Sequence, residues 1–167
     1  MKPAQAESVR IHCDASCDQE ARRGSWAAVI VSKHGIIKEA GVIPWFCDDS
    51  NHCELVAVAN AVHLAVTRLS LVRGDHLIAE TDSDHAQALL TGRRQVRKDR
   101  VADVSTIERL KQLIRRAGVS LDVVKVPGHS ADPSPSGAWN RWCDAQARAA
   151  LAAERGIDAE LLRVAAA

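Results

Sequence analysis

Four acids, Asp14, Glu54, Asp82 and Asp144, occupy settings that suit a carboxylate placed at one end of a sheet. Asp14 closes the alternating run VRIHCDAS, and Glu54 opens the helix-like ELVAVANAVHLAV. Asp82 ends the strand-like HLIAETDS, and Asp144 lies on the helix-like WNRWCDAQARAAL, shortly after the loop PGHS. The crevice outside strand ends is where α/β sheets bind ligands, so acids distributed in this way can converge there. Converging carboxylates repel one another and shift each other's pKa, a strain that divalent cations relieve through oxygen coordination. Such a constellation outlines a two-metal phosphoryl-transfer site.

The elements that would carry these acids follow from periodicity. Residues 9–17 alternate apolar and polar as a half-buried strand does, and the runs 26–32 and 36–43 are β-rich and joined by the short turn Lys33-His34-Gly35. After the polar loop FCDDSNHC, residues Leu55, Val58, Ala59, Val62 and Ala65 fall at helical spacing. A buried strand is expected over 75–81, a short helix over 84–90, and a longer helix over 104–117 stopped by Gly118. A fifth strand over 121–126 and a last helix from about Gly137 to Gly156 complete the order βββαβααβα. Early hairpins followed by βα crossovers give an α/β fold with one five-stranded mixed sheet and helices on both faces.

Bulk properties set the frame. A chain of 167 residues, 47% hydrophobic and 26% charged, matches one globular domain with a sizeable core. That domain is expected over 9–155, behind a flexible N-terminus at 1–8 and ahead of an Ala-rich tail at 156–167. A net charge of +1 does not mark a nucleic-acid binder, because clustering rather than number of cations matters. No apolar run reaches the roughly 18 residues of a membrane span, and MKPAQAES lacks the apolar core of a secretory signal. With five cysteines in no small-scaffold pattern, reduced thiols and a cytoplasmic, monomeric protein are expected.

Four motifs in order carry a resemblance to the type 1 ribonuclease H family, running from Ile11 to about Ala150. They are IHCDASC followed by GSWAAVIV, then SNHCELVAVANAV, then AETDSDHAQALLTG, and finally VKVPGHS with NRWCDAQARAA. Each alone is a weak signal, but all four in sequence on matching elements are strong. The resemblance implies the ribonuclease H-like fold and hydrolysis of the RNA strand of an RNA–DNA hybrid duplex, leaving a 3′-hydroxyl and a 5′-phosphate. It implies that Asp14, Glu54, Asp82 and Asp144 ligate two Mg²⁺ or Mn²⁺ ions and that His129 assists proton movement or product release. It also implies hybrid contacts from Ser16, Cys17, Ser50, Asn51 and Asn140. The alternative is a non-catalytic or differently specific nucleic-acid-binding member of the same fold.

Departures from the family pattern bear on affinity. Ala15 stands where a Gly is usual, and Glu20 and Asp84 stand where neutral side chains are usual, which adds charge that repels phosphates. The basic, Trp-containing handle of familiar bacterial members is missing, and only GRRQVRKDR stands in its place. Within it, Arg93, Arg94, Arg97 and Lys98 are the expected phosphate contacts.

Some residues invite other readings. Cys13, Cys17, Cys47, Cys53 and His52 have the chemistry of a zinc site, but C-x3-C across a strand and turn is poor geometry, and no C-x2-C pair exists. Cys13 and Cys143 are better read as small buried apolar residues. Trp139 and Trp142, at i and i+3, share a helix face and are expected to pack rather than stack on bases.

Overall fold

The computed structural model describes Ala6, residues 8–128 and residues 132–165, with side chains as far as Gly156. Among these residues the strands are β1 (Ser8–Asp18), β2 (Arg23–Ser32), β3 (Gly35–Ile43), β4 (His76–Thr81) and β5 (Ser120–Lys125). The helices are α1 (Ser50–Arg68), α2 (Asp84–Leu90), α3 (Val101–Ala117) and α4 (Pro135–Ala165). The order along the chain is the one periodicity predicts, and the strands form one sheet in the order β3-β2-β1-β4-β5. β1, β2 and β3 pair antiparallel as a meander, whereas β4 and β5 join parallel to β1 and to each other through helical crossovers.

The two faces of the sheet are covered by different helices. On one face Val9, Ile11, Cys13, Ala28 and Ile30 bury against Val58, Ala61, Val62 and Ala65 of α1, with Leu110 of α3 behind. On the other, Ala27 and Val29 pack on Cys143 and Ala147 of α4, flanked by Trp139 and Trp142. The two indoles therefore serve packing, and the Lys38 ammonium sits 4.6 and 5.2 Å from their ring centroids. Alternation along β1 is the reason for this division: odd positions face α1, and even positions, Asp14 among them, face α4.

Helix boundaries depart from the periodic reading in three places. α1 begins at Ser50, so Ser50 to Cys53 form its first turn rather than a loop, and Glu54 sits beyond that turn instead of opening the helix. The cause is Asp49, an N-cap whose side chain accepts the His52 amide hydrogen at 2.9 Å. α3 starts at Val101 behind an Arg100 N-cap that makes no side-chain cap bond, so no residue-type signal marked the boundary. α4 passes through Gly156 to Ala165, so most of the tail expected at 156–167 is helical. One internal glycine costs about 1 kcal/mol, which the helix-forming residues around it offset. Of the N-terminal segment expected to be flexible, only Ala6 and Ser8 are described, and Ser8 already belongs to β1.

All five cysteines are free. Cys13 and Cys143 are buried, as expected of small apolar residues, and burial pushes both thiols up, Cys143 to about 12. Cys17, Cys47 and Cys53 meet in a separate cluster with Ile43 and Val56. Gly24 lies beneath it: a Cβ there would stand 2.5 Å from Cys53 Sγ and 2.9 Å from Cys47 Sγ, too close for any side chain. No described helix is long and apolar enough to cross a membrane.

Candidate active site

The parallel pairing of β1 with β4 creates the site. Their register runs from Ser8 opposite His76 to His12 opposite Glu80. Two residues further on, past the last pair, each strand presents an aspartate, Asp14 and Asp82, from the face that carries His12 and Glu80. Glu54 arrives from α1, where its neighbours Leu55 and Val56 are buried in the core. Carboxylate oxygens of Asp14, Glu54 and Asp82 lie within 4.8 Å of one another. Among the described residues no other group of three or more His, Cys, Asp or Glu side chains comes so close, which leaves the zinc reading of the cysteines without support.

Asp144 borders the same place rather than joining the tight trio. With Asp14, Asp82, Asn140 and Arg141 it lines a small cleft of about 20 Å³. Its Oδ1 accepts from Arg148 Nε at 2.9 Å, an i, i+4 pair on α4 that keeps the carboxylate oriented. A larger cavity of about 460 Å³ between α1 and α3 has no carboxylate in its lining. Its size does not make it the place of the chemistry.

The electrostatics of the trio are strained. Burial, reinforced by the charges of Asp14, Asp82 and Asp144, pushes the Glu54 carboxyl up to about 9. Glu54 Oε2 is buried with no hydrogen bond reaching it, while Asp14 Oδ1 accepts the Ala15 amide hydrogen at 2.8 Å. A buried carboxylate oxygen without a hydrogen bond, set among hard oxygen donors, has the chemistry of a ligand to a divalent cation, so these residues fit such an ion. Below them on the same strand faces, buried Glu80 accepts from Arg10 at 2.6 Å and lies 3.1 Å from His12 Nδ1. Burial lowers the His12 pKa, with Glu80 working the other way.

Gly128 is a site residue that residue types did not disclose. A Cβ at this position would fall 2.5 Å from Asp82 Oδ2, so the loop backbone presses directly on the carboxylate. We therefore expect Gly128→Ala to displace Asp82 and lower kcat roughly a hundredfold, the scale of a 1 Å misplacement at a reacting centre. Its melting temperature should change little. Wild-type turnover in the variant would show that the loop does not pack against Asp82. His129, expected to assist proton movement, lies outside the described residues.

The expected hybrid contacts fall in three places. Ser16 follows Asp14 on the same face of β1, but the Cys17 side chain turns into the Ile43–Cys47–Cys53 cluster. Asn140 stands in the carboxylate cleft with its Oδ1 buried and unbonded. Ser50 and Asn51 are exposed on the first turn of α1, and Asn51 shares a second cleft with Arg94 and Arg97. In the basic run, Arg93 bonds Gln87, Arg94 lies 3.5 Å from His85, and Arg97 pairs with Asp99, all exposed. Lys98 is exposed as well. The additional acid Asp84 is countered by Lys125 at 2.8 Å.

Comparison with known proteins gives a consistent picture. A family model described as RNase H matches residues 6–152. No curated protein matches the chain. Among solved structures, the N-terminal RNase H domain of rv2228c from Mycobacterium tuberculosis is 14% identical, with a TM-score of 0.66 over 89% of this chain and 99% of that one. RNase H1 from the halophilic archaeon Halobacterium salinarum is 21% identical, with a TM-score of 0.63 over 86% and 97%. LC11-RNase H1, solved in complex with an RNA/DNA hybrid, is 13% identical, with a TM-score of 0.61 over 86% and 99%.

Proposed function

The chain belongs to the RNase H family, and we propose that it hydrolyses the RNA strand of RNA–DNA hybrids at the Asp14, Glu54, Asp82 and Asp144 carboxylates, leaving a 3′-hydroxyl and a 5′-phosphate. The observation that carries this reading is the convergence of three carboxylates within 4.8 Å, one with an orphaned buried oxygen, on a ribonuclease H fold. A scaffold gains nothing from such repulsion, whereas metal-assisted phosphodiester hydrolysis needs clustered carboxylates to hold its cations.

Asp14, Glu54 and Asp82 would hold two Mg²⁺ or Mn²⁺ ions, with Asp144 completing the set from α4. Bound there, the ions supply Lewis acidity that lowers the pKa of water and offsets charge on the leaving oxygen. The chain's own contribution is placement. The β1–β4 register fixes the separation of Asp14 and Asp82, the core behind Leu55 and Val56 holds Glu54, and Arg148 steadies Asp144. His129 would carry a proton to or from the reacting oxygens, a role that suits an imidazole near neutrality. Ser16, Ser50, Asn51 and Asn140 would contact the duplex, with Cys17 contributing backbone, while Arg93, Arg94, Arg97 and Lys98 meet phosphates.

RNA is told from DNA by its 2′-hydroxyls and by the shape of the minor groove. Side-by-side digestion of end-labelled hybrid, double-stranded RNA, single-stranded RNA and DNA duplex is therefore expected to show cleavage of the RNA strand of the hybrid alone. Equal cutting of DNA duplex and hybrid would reject this specificity.

A further inference from the structure

The last cation of the basic run, Arg100, is turned inward. Its guanidinium grips Asp49 with two bonds, 2.7 Å to Oδ2 and 3.1 Å to Oδ1, and its Nε donates to Asp103 Oδ2 at 2.9 Å. Asp103 is 1% exposed and its other oxygen lies 2.6 Å from Nδ1 of His52, itself 1% exposed. Trp45 Nε1 donates to His52 Nε2 at 3.4 Å, so Nε2 accepts and Nδ1 carries the proton given to Asp103. Asp49, in turn, caps α1.

These contacts join the N-cap and first turn of α1 (Asp49, His52) to the N-cap and first turn of α3 (Arg100, Asp103), with Trp45 adding one from the loop before α1. A buried His–carboxylate pair and a two-pronged Arg–carboxylate contact are poor sources of stability, because desolvation consumes most of the Coulomb gain and apolar residues would pack as well. What they do supply is a fixed geometry. That geometry belongs to a cleft of about 210 Å³ lined by Asn51, Arg94 and Arg97 together with Asp49, Arg100 and Asp103 themselves.

We infer that Arg100 is a positioning residue, which through Asp49 and the Asp103–His52 pair sets the spacing between the hybrid-contacting turn of α1 and the basic segment 93–97. The inference rests on the proposed function. It assigns Arg100 a role distinct from the phosphate contacts beside it: although it lines the same cleft, its guanidinium is committed to Asp49 and Asp103 rather than to a phosphate. Glu54 lies beyond the capped turn and is held by the core, so the chemistry itself should not sense the clamp.

The test is steady-state cleavage of a 12-base-pair RNA–DNA hybrid over a series of salt concentrations by wild type, Arg100→Gln, Asp49→Asn and the double variant. Asparagine is as good an N-cap as aspartate, so Asp49→Asn keeps α1 intact while weakening the clamp. Both single variants are expected to raise KM by about fivefold to fiftyfold, the range for breaking one coupled contact, with kcat unchanged. The double variant should be no worse than either single one, and the salt dependence of KM should keep its wild-type slope. Asp49→Asn gives the sharpest contrast. It removes a negative charge beside the duplex, so if Asp49 and Arg100 act as independent charges its KM must fall, and that outcome overturns the inference. So does a slope reduced by about 0.9 in Arg100→Gln, which would mark a direct phosphate contact. A lowered melting temperature with wild-type KM would reduce the network to scaffolding and overturn it too. A wild-type protein that leaves the hybrid uncut would instead remove the functional reading, and this inference with it.

Discussion

Asp82→Asn is expected to abolish nearly all hydrolysis while leaving the fold intact. The amide keeps the size and most of the hydrogen bonding of the carboxylate but loses the charge that, with its two neighbours within 4.8 Å, would hold a divalent cation. Several kcal/mol of charge stabilisation depend on that arrangement, which corresponds to roughly a thousandfold or more in kcat. Removing one of the mutually repelling charges also relieves strain, so the metal-free melting temperature of the variant should equal or exceed that of wild type. Activity and stability thus move in opposite directions. Turnover at wild-type rate would take Asp82 out of the site and dissolve the carboxylate reading.

The second large effect concerns pH and metal together. In the metal-free protein the Glu54 carboxyl is pushed up to about 9, against an ordinary value of 4.5, by burial and by Asp14, Asp82 and Asp144. Between these two values the folded protein holds a proton that the unfolded chain releases, so stability falls as pH rises. The contribution is fully present below about pH 4.5 and is lost once pH passes about 9. Glu54→Gln should flatten this dependence, and the difference between the two proteins isolates Glu54 from His12 and His52, whose pKa values burial and Asp103, respectively, also move. Divalent cations require the ionised carboxylate, so stabilisation by millimolar Mg²⁺ should grow with pH over the same window and be weak in the glutamine variant. Thermal melts of both proteins from pH 5 to 9, with and without Mg²⁺, provide the check. Identical pH profiles would mean that Glu54 is not strained by its neighbours.

The fold was legible because its signals are periodic. β1, with Val9, Ile11 and Cys13 turned to one side, could be read by alternation, and α3 by its apolar stripe and the Gly118 stop, which adopts a left-handed φ of 68°. The acids stood out because each lies on or just past a periodic element: Asp14 within β1, Glu54 within α1, Asp82 directly after β4 and Asp144 within α4. What escaped were features that depend on distance in space. Nothing in PGHS announces that the Gly128 backbone presses on Asp82, because that contact joins segments far apart in sequence. The same holds for Arg100: in sequence it is the last cation of a basic run, and only the fold turns it toward Asp49 and Asp103. Two other features had a local signal. Asp49 is a standard N-cap type directly before α1, and Asp144 with Arg148 has the i, i+4 spacing of a helical ion pair.

In the proposed reaction water, and not the neighbouring 2′-hydroxyl, attacks the scissile phosphate at the Asp14, Glu54 and Asp82 cluster. Analysis of the ends produced from the RNA strand of a hybrid tests it most directly. Hydrolysis at this site predicts fragments bearing a 3′-hydroxyl that a polymerase extends and a 5′-phosphate, formed only with Mg²⁺ or Mn²⁺ present and lost in Asp82→Asn. Fragments ending in a 2′,3′-cyclic phosphate, or cleavage that persists when the cations are chelated, would contradict it.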